Sequence, residues 1–179
     1  MRILIAAMAT MSLSLAAFAA DGSLALTGDN TKIEFTGTKK DGKHDGGFKK
    51  LTGTATVPAG KITDAKIEVT IETDSLYTDT AGLTMHLKNA DFFDVKTNPS
   101  AKFVSTAITA EKEGYKVAGD LTLNGKTKSI SFPATITAVG GNFTLAAEFK
   151  IDRTQFGMIY GKGKVDDEVA LKVKVDAKK

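Results

Sequence analysis

Apolar and polar residues alternate one for one through most of the chain beyond its first 30 positions. Lys32-Ile33-Glu34-Phe35, Lys66-Ile67-Glu68-Val69-Thr70-Ile71-Glu72 and Ala170-Leu171-Lys172-Val173-Lys174-Val175 each collect their apolar side chains on one face. That period of two predicts half-buried antiparallel strands. Residues 53–57, 101–108, 115–123, 129–137 and 142–151 add further strands, being rich in β-branched and aromatic residues and poor in helix formers. Turn signals separate them at Asp41-Gly42, Asp45-Gly46-Gly47, Pro58-Ala59-Gly60, Glu113-Gly114, Asn124-Gly125 and Gly140-Gly141. Asn124-Gly125 is the strongest hairpin signal, since both residues suit the positive φ angles of a type I′ turn. Between residues 74 and 99 the spacing becomes helical, around Leu83, Met85, His86 and Leu87, and one or two short helices fit there. Many evenly spaced strands with one helical interruption predict a barrel or a sandwich.

The first residues follow another pattern. Arg2 precedes an apolar run over residues 3–18 that ends in Ala17-Phe18-Ala19, which reads as a secretory signal peptide cut after Ala19. The run is shorter than the roughly 20 residues of a spanning helix, so no transmembrane segment is expected after cleavage. Residues 20–179 then form one domain, located in the periplasm or secreted. With no Cys in the chain, disulfides, thiolate metal sites and a Cys nucleophile are excluded. The formal charge of +3 is dispersed, with Lys alternating with Asp and Glu, and no nucleic-acid footprint results.

Groups that could carry chemistry are few. The two histidines, His44 and His86, cannot make a multi-histidine metal cluster. His44 lies in the glycine-rich stretch 41–47, read as a mobile surface loop in which Asp41 and Asp45 could at most ligate a cation weakly. His86 serves either as a structural group with one partner or as a contact for a ligand's polar end. Asp166-Asp167-Glu168 reads as a solvated turn before the last strand, because catalytic carboxylates need separated environments. Arg153 ends an apolar strand and either pairs with Asp152 or another acid or meets a ligand head. Asn142-Phe143-Thr144 matches a glycosylation sequon, taken as chance on a strand. Small residues at strand positions, among them Ala55, Gly119, Ala134, Ala146 and Ala147, together with the lack of any Trp, leave room inside a barrel of about eight strands. A tightly packed sandwich accounts for them equally.

Three segments, in order, resemble the YceI-like family of bacterial periplasmic or secreted lipid-binding proteins. They are residues 86–95 with Pro99 and Phe103-Val104-Ser105-Thr106, then residues 117–128, then Ile151-Asp152-Arg153-Thr154-Gln155-Phe156-Gly157. The resemblance implies an all-β, lipocalin-like antiparallel β-barrel with a short helical insertion, and a central cavity that takes a polyisoprenoid or prenyl-quinone chain. It also implies a non-enzymatic carrier with no catalytic cofactor. The alternatives are a structural or stress-response protein with a filled core, or an enzyme acting on such a lipid. The departures are Leu24-Ala25-Leu26 and Thr36-Gly37-Thr38-Lys39, where the family often has a Trp and a His, and Gln155, where an acid is common. They bear on the ligand more than on the fold.

Within such a barrel the expected ligand contacts are Phe35, His86, Phe92, Phe93, Phe103, Phe132, Phe149, Arg153 and Phe156. Val117, Leu121 and Leu123 join them, because along 117–123 the odd positions are apolar or glycine and therefore inward. Phe143 is core material by default. Whether the protein forms a homodimer is left open.

Overall fold

The computed structural model describes residues 23–179, so the signal peptide read in residues 1–19 lies outside the described residues. Eleven strands and one helix follow in the order β1 (Ser23–Thr27), β2 (Thr31–Lys39), β3 (Gly42–Phe48), β4 (Leu51–Thr56), β5 (Lys66–Glu72), β6 (Leu76–Thr78), α1 (Ala81–Lys88), β7 (Ser100–Ala110), β8 (Tyr115–Leu123), β9 (Lys126–Val139), β10 (Asn142–Asp152) and β11 (Val165–Ala177). All pairings are antiparallel, in the sheet order β1-β4-β5-β7-β8-β9-β10-β11-β2-β3-β6. The sheet curls into a barrel. The chain crosses from one half of the sheet to the other at residues 49–50 and 73–75, and the two crossings are bonded to each other. Lys49 N donates to Ser75 O (3.3 Å) and Glu72 N to Lys50 O (3.1 Å) across that corner.

The expected all-β architecture and helical insertion are present, with eleven strands where about eight were expected. The eight stretches read as strands from alternation or composition are β2, β4, β5 and β7 to β11. The additional strands escape that pattern for physical reasons. β6, at three residues, is too short for alternation to register, and in β1 the apolar Ala25 between Leu24 and Leu26 hides it. β3 carries Gly42, Gly46 and Gly47, residues that strands ordinarily avoid, and the stretch expected to be a mobile loop is therefore a strand. A Cβ on Gly46 would lie 2.5 Å from Phe35 Cζ and from Tyr77 O, so glycine is what lets a ring from β2 lie across β3. Asp166, Asp167 and Glu168, read as a turn, belong to β11, where the register with β2 shifts between Val165 and Val169.

Inside and outside follow the alternation. On β5 Ile67, Val69 and Ile71 are buried while Lys66, Glu68 and Glu72 are exposed, and on β9 Phe132, Ala134 and Ile136 are buried between exposed neighbours. The outer face carries cross-strand ion pairs. Lys172 stands opposite Glu148 on β10 (2.7 Å) and Glu34 on β2. Its hydrogen bond to Glu148 raises the lysine pKa and lowers that of the glutamate. Both groups are solvated, so the pair organises the surface more than it stabilises the fold.

One end of the barrel is packed shut. Phe143 opposite Ala177, and Val117 opposite Ile108, are fully or almost fully buried. The 3₁₀ turn Ile62–Asp64 packs on β7 and β9 beside them. At the other end the β8–β9 hairpin turns on Asn124 (φ 49°) and Gly125 (φ 70°), the two positive φ values of a type I′ turn. Asn98 Nδ2 donates to Asn124 Oδ1 (3.0 Å), and Asn124 Nδ2 donates to Phe156 O (3.2 Å), tying the turn to two neighbouring segments.

Gly125→Val is expected to lower stability by about 1–2 kcal/mol, because a β-branched residue resists positive φ. Its Cβ would also stand 3.0 Å from Asn98 Oδ1. A thermal melt should show a midpoint lower by several degrees, at about 2–4 °C per kcal/mol in a domain of this size. An unchanged midpoint contradicts the turn assignment.

Candidate functional site: an apolar cavity with one polar mouth

The inward faces of β2 and β11 run side by side in register, Thr31 with Val175, Ile33 with Val173, Phe35 with Leu171 and Gly37 with Val169. All eight residues line one cavity of about 340 Å³, within the usual range for small-molecule sites. The lining extends on β2 from Thr31 to Lys39, eight residue steps or about 26 Å of strand. Ile67, Val69 and Ile71 of β5, Leu121 and Leu123 of β8 and Ile130 of β9 complete the wall from the far side of the sheet. A flat sheet could not bring its distant strands around one space; the curl does so.

Three aromatic groups shape the interior. Phe103, Phe132 and Phe149, on β7, β9 and β10, form one arc, with ring centroids 5.7 Å apart and then 4.2 Å apart in a near-parallel stack. Phe35, Phe48 and Phe93 form a second, at 6.1 and 5.7 Å. His86, Phe92 and Tyr160 gather at the mouth, each pair within 5.5 Å. Each arc rests on a glycine of the adjacent strand. A Cβ at Gly119 would meet Phe103 Cζ at 2.5 Å, as one at Gly46 would meet Phe35. The small residue at Gly119 thus makes room for a ring of the wall, not for open volume.

Helix α1 covers one side of the mouth. Thr80 caps it, its hydroxyl accepting from Leu83 N (3.4 Å), and Leu83, His86 and Leu87 face the cavity. Both histidines sit at this end and hold the helix region in place. His44 Nδ1 donates to the Asp79 carboxylate (3.1 Å) just before α1, and His86 Nε2 donates to Asp91 Oδ2 (3.2 Å) just after it. Asp45 accepts from the Thr36 hydroxyl and pairs with Lys43. Those two bonds depress its pKa, the Thr36 bond first. His44 and Asp45 are thereby committed to protein partners.

Of the residues expected from the sequence, Phe35, His86, Phe92, Phe93, Phe103, Leu121, Leu123, Phe132, Phe149 and Arg153 all line the cavity. Val117 and Phe156 do not. Val117 shares the inner face with Leu121, yet it lies beyond Gly119 toward the packed end, where it is wholly buried against its neighbours. Phe156 is buried in the 3₁₀ turn Arg153–Phe156, which Asp152 caps through Thr154 N (2.8 Å). Leu83 and Leu87 of the helix, Phe48 of β3 and Tyr160 belong to the lining and were not anticipated. Tyr160 stands in a segment with Gly157, Gly161 and Gly163, where no periodicity exists to betray an inward ring.

Arg153 is buried, and its guanidinium spends every donor on the protein. Nε donates to Asp166 O (3.0 Å), Nη1 to Met158 O (2.5 Å) and Tyr160 O (2.9 Å), and Nη2 to Val165 O (3.1 Å) and Asp167 Oδ1 (3.4 Å). Of the two roles the sequence left open, pairing with an acid is the one the geometry displays, the partner being Asp167 and not Asp152. The larger effect is on the backbone: four carbonyls of residues 158–166 close on one cation and set that segment against the mouth.

Arg153→Met is expected to leave those carbonyls and Asp167 without a partner and to cost about 2–4 kcal/mol. Arg153→Lys should recover little, because an ammonium cannot span the fork. Hydrogen exchange should quicken first in residues 157–166. Equal protection in wild type and variant contradicts the clamp.

Residues 10–177 match the YceI-like domain family. A UPF0312 protein of Serratia proteamaculans is 34% identical over 176 residues, covering 89% of this chain and 87% of that one. Alignments with two UPF0312 proteins of Pseudomonas putida are 45% and 44% identical but span only 50% of those proteins. Among solved structures, Burkholderia cenocepacia BcnA superimposes with a TM-score of 0.75 at 28% identity, over 82% of this chain and 96% of that chain. A polyisoprenoid-binding domain from Saccharophagus degradans shares the fold, with a TM-score of 0.69 at 13% identity over 88% and 98% of the two chains. The ordered motifs, the curled sheet and this match over nearly the whole chain agree: the protein belongs to the YceI-like domain family.

Proposed function

We propose that this protein is an exported, non-enzymatic carrier that holds an isoprenoid lipid, a polyprenyl chain or a prenyl-quinone, in the barrel cavity. The observation that carries the reading is a long cavity whose wall is apolar between Thr31, whose hydroxyl donates to Asn30 Oδ1, and the mouth, where the polar side chains Thr38, Lys39, His44, His86 and Tyr160 collect. That distribution suits an amphiphile with a long apolar tail and a small head. Arg153 lines the same end but has no donor free for the head. The N-terminal pattern of Arg2, an apolar run and Ala17-Phe18-Ala19 supports export. Among the described residues no helix is long and apolar enough to cross a membrane. The Saccharophagus degradans domain of the same fold is described as polyisoprenoid-binding.

Tail burial supplies the affinity. At about 0.8 kcal/mol per methylene, ten buried methylene equivalents contribute about 8 kcal/mol before the cost of ordering the chain. No salt bridge inside the cavity adds to that sum, so affinity should rise with tail length and depend weakly on the head.

Organic extraction of the purified protein followed by mass spectrometry is expected to recover a prenyl lipid, and recovery of none opposes the carrier reading. Leu121→Glu, on the cavity wall, should remain folded and lose the lipid, because an empty lumen admits water to the new carboxylate. Val117→Glu, in the packed end, should lose several kcal/mol and unfold. Circular dichroism and extraction on the same samples separate the cases: a folded Leu121→Glu with its full lipid content refutes the placement of the site.

A further inference from the structure

Cross-strand register divides the cavity wall into rungs that climb from the packed end to the mouth. Leu145 of β10, Val175 of β11 and Thr31 of β2 stand side by side on the lowest rung that lines the cavity. Val173 and Ile33 make the next with Phe48 of β3, and Phe149, Leu171 and Phe35 the one above it. Below the lowest rung, Phe143 opposite Ala177 is wholly buried and does not line the cavity. On β2 and β11 exposure changes at one level: Thr31 and Val175 are buried, whereas Ile33, Phe35, Leu171 and Val173 are half-buried around open space. The cavity is blind at this end, and its depth is fixed by the packing beneath it.

That depth converts into a length of tail. From Thr31 to Lys39 at the mouth β2 takes eight residue steps, about 26 Å along the strand and about 20 Å along the axis of a barrel whose strands tilt by about 40°. An extended carbon chain advances about 1.2 Å per bond, as an extended backbone does over its three bonds per residue. About 16 to 22 bonds therefore span the depth, which at four main-chain bonds per isoprene unit is about four to five units.

We propose that the packed end acts as a ruler: the rung of Thr31, Val175 and Leu145 stops the tail, and the site selects prenyl lipids of about four to five isoprene units over longer ones. The inference rests on the carrier reading and adds a length to it. Exchange with a bilayer decides the preference. A unit that moves from the bilayer into the cavity trades one apolar surrounding for another, whereas a unit left outside the mouth gives up burial for water, which disfavours it about tenfold or more. A tail too short to reach the floor forfeits the contacts of the lowest rungs. Because Ile33 and Val173 face open space, a larger side chain at either raises the floor by one rung without overpacking. One rung is two residue steps, about 7 Å along the strand, or about one isoprene unit.

Competition from vesicles tests the ruler. Lipid-free protein is incubated with phosphatidylcholine vesicles carrying equal amounts of the all-trans prenols from geraniol to solanesol, then re-isolated and extracted for mass spectrometry. The bound fraction is expected to peak at about four to five isoprene units and to fall about tenfold with each further unit. Val173→Phe should move the peak about one unit shorter. Ile33→Phe, on the same rung of the neighbouring strand, should give the same shift and serves if Val173→Phe does not fold. A bound mixture that mirrors the supply at every length overturns the ruler and leaves the carrier reading standing. So does a peak unmoved, or an equal loss at every length, in a variant with the wild-type circular dichroism spectrum. Uptake of no prenol by the wild-type protein overturns the carrier reading, and the ruler with it.

Discussion

Ile33 and Phe35 on β2, and Leu171 and Val173 on β11, point inward, yet they remain only half-buried. Their neighbours along the wall cover them from the sides, and nothing covers them from across the axis. Every strand must present apolar side chains inward for the sheet to curl and persist, and here those side chains stop short of one another. A packed interior would gain dispersion contacts across that space. The wall compensates through lateral contacts: Phe132 stacks on Phe149, and Phe35 and Phe103 lie over glycines of the next strand. Aromatic pairs of this kind contribute about 0.5–1.5 kcal/mol beyond their area.

On β8, β9 and β10 a packed stretch and a stretch of cavity wall follow one another along the same strand. Phe143, Ala177, Val117, Ile108 and Ile136 are buried at the packed end and do not line the cavity, whereas Leu26, Thr31 and Ala101, just as little exposed, belong to its wall. On β8 the boundary falls within a few residues, with Val117 packed, Gly119 beneath a ring, and Leu121 and Leu123 on the cavity wall. Strand continuity makes this division workable, because hydrogen-bond ladders anchored at the packed end hold the wall at the open one.

The extent to which this was readable from sequence follows from what each element asks of its residues. Long strands with one buried face must alternate, so β5 and β8 to β11 declare themselves, and Asn124-Gly125 names its own turn. The cavity wall was readable wherever it is aromatic or alternating, as at Phe103, Phe132 and Leu121. It was hidden where the demand is for smallness or for a partner far along the chain. β3 looks like a loop because the rings of other strands require its glycines. Arg153 resembles a ligand contact until the carbonyls of Met158, Tyr160 and Val165 converge on it, and no local pattern encodes that convergence. Val117 and Leu121 share one alternation, and alternation distinguishes inside from outside, not packed from vacant.

The polar groups of the mouth extend the same logic to electrostatics. Arg153, His44 and His86 are each held by acceptors of the protein, and Asp45, Asp79 and Asp91 by its donors. An unsatisfied charge at the rim of an apolar cavity would draw water or a counter-ion into the opening, and a buried one would cost several kcal/mol. Pairing these groups with each other leaves Lys39 as the cation of the lining without an ion-pair partner among the described residues, and keeps the tail-sized volume apolar. It also fixes the pieces that shape the opening, since the same bonds bind α1 at both ends and the segment around Tyr160 to β11. The fold thus spends its polar side chains on defining the mouth, and selection at this site falls to the length and shape of the cavity more than to any single contact.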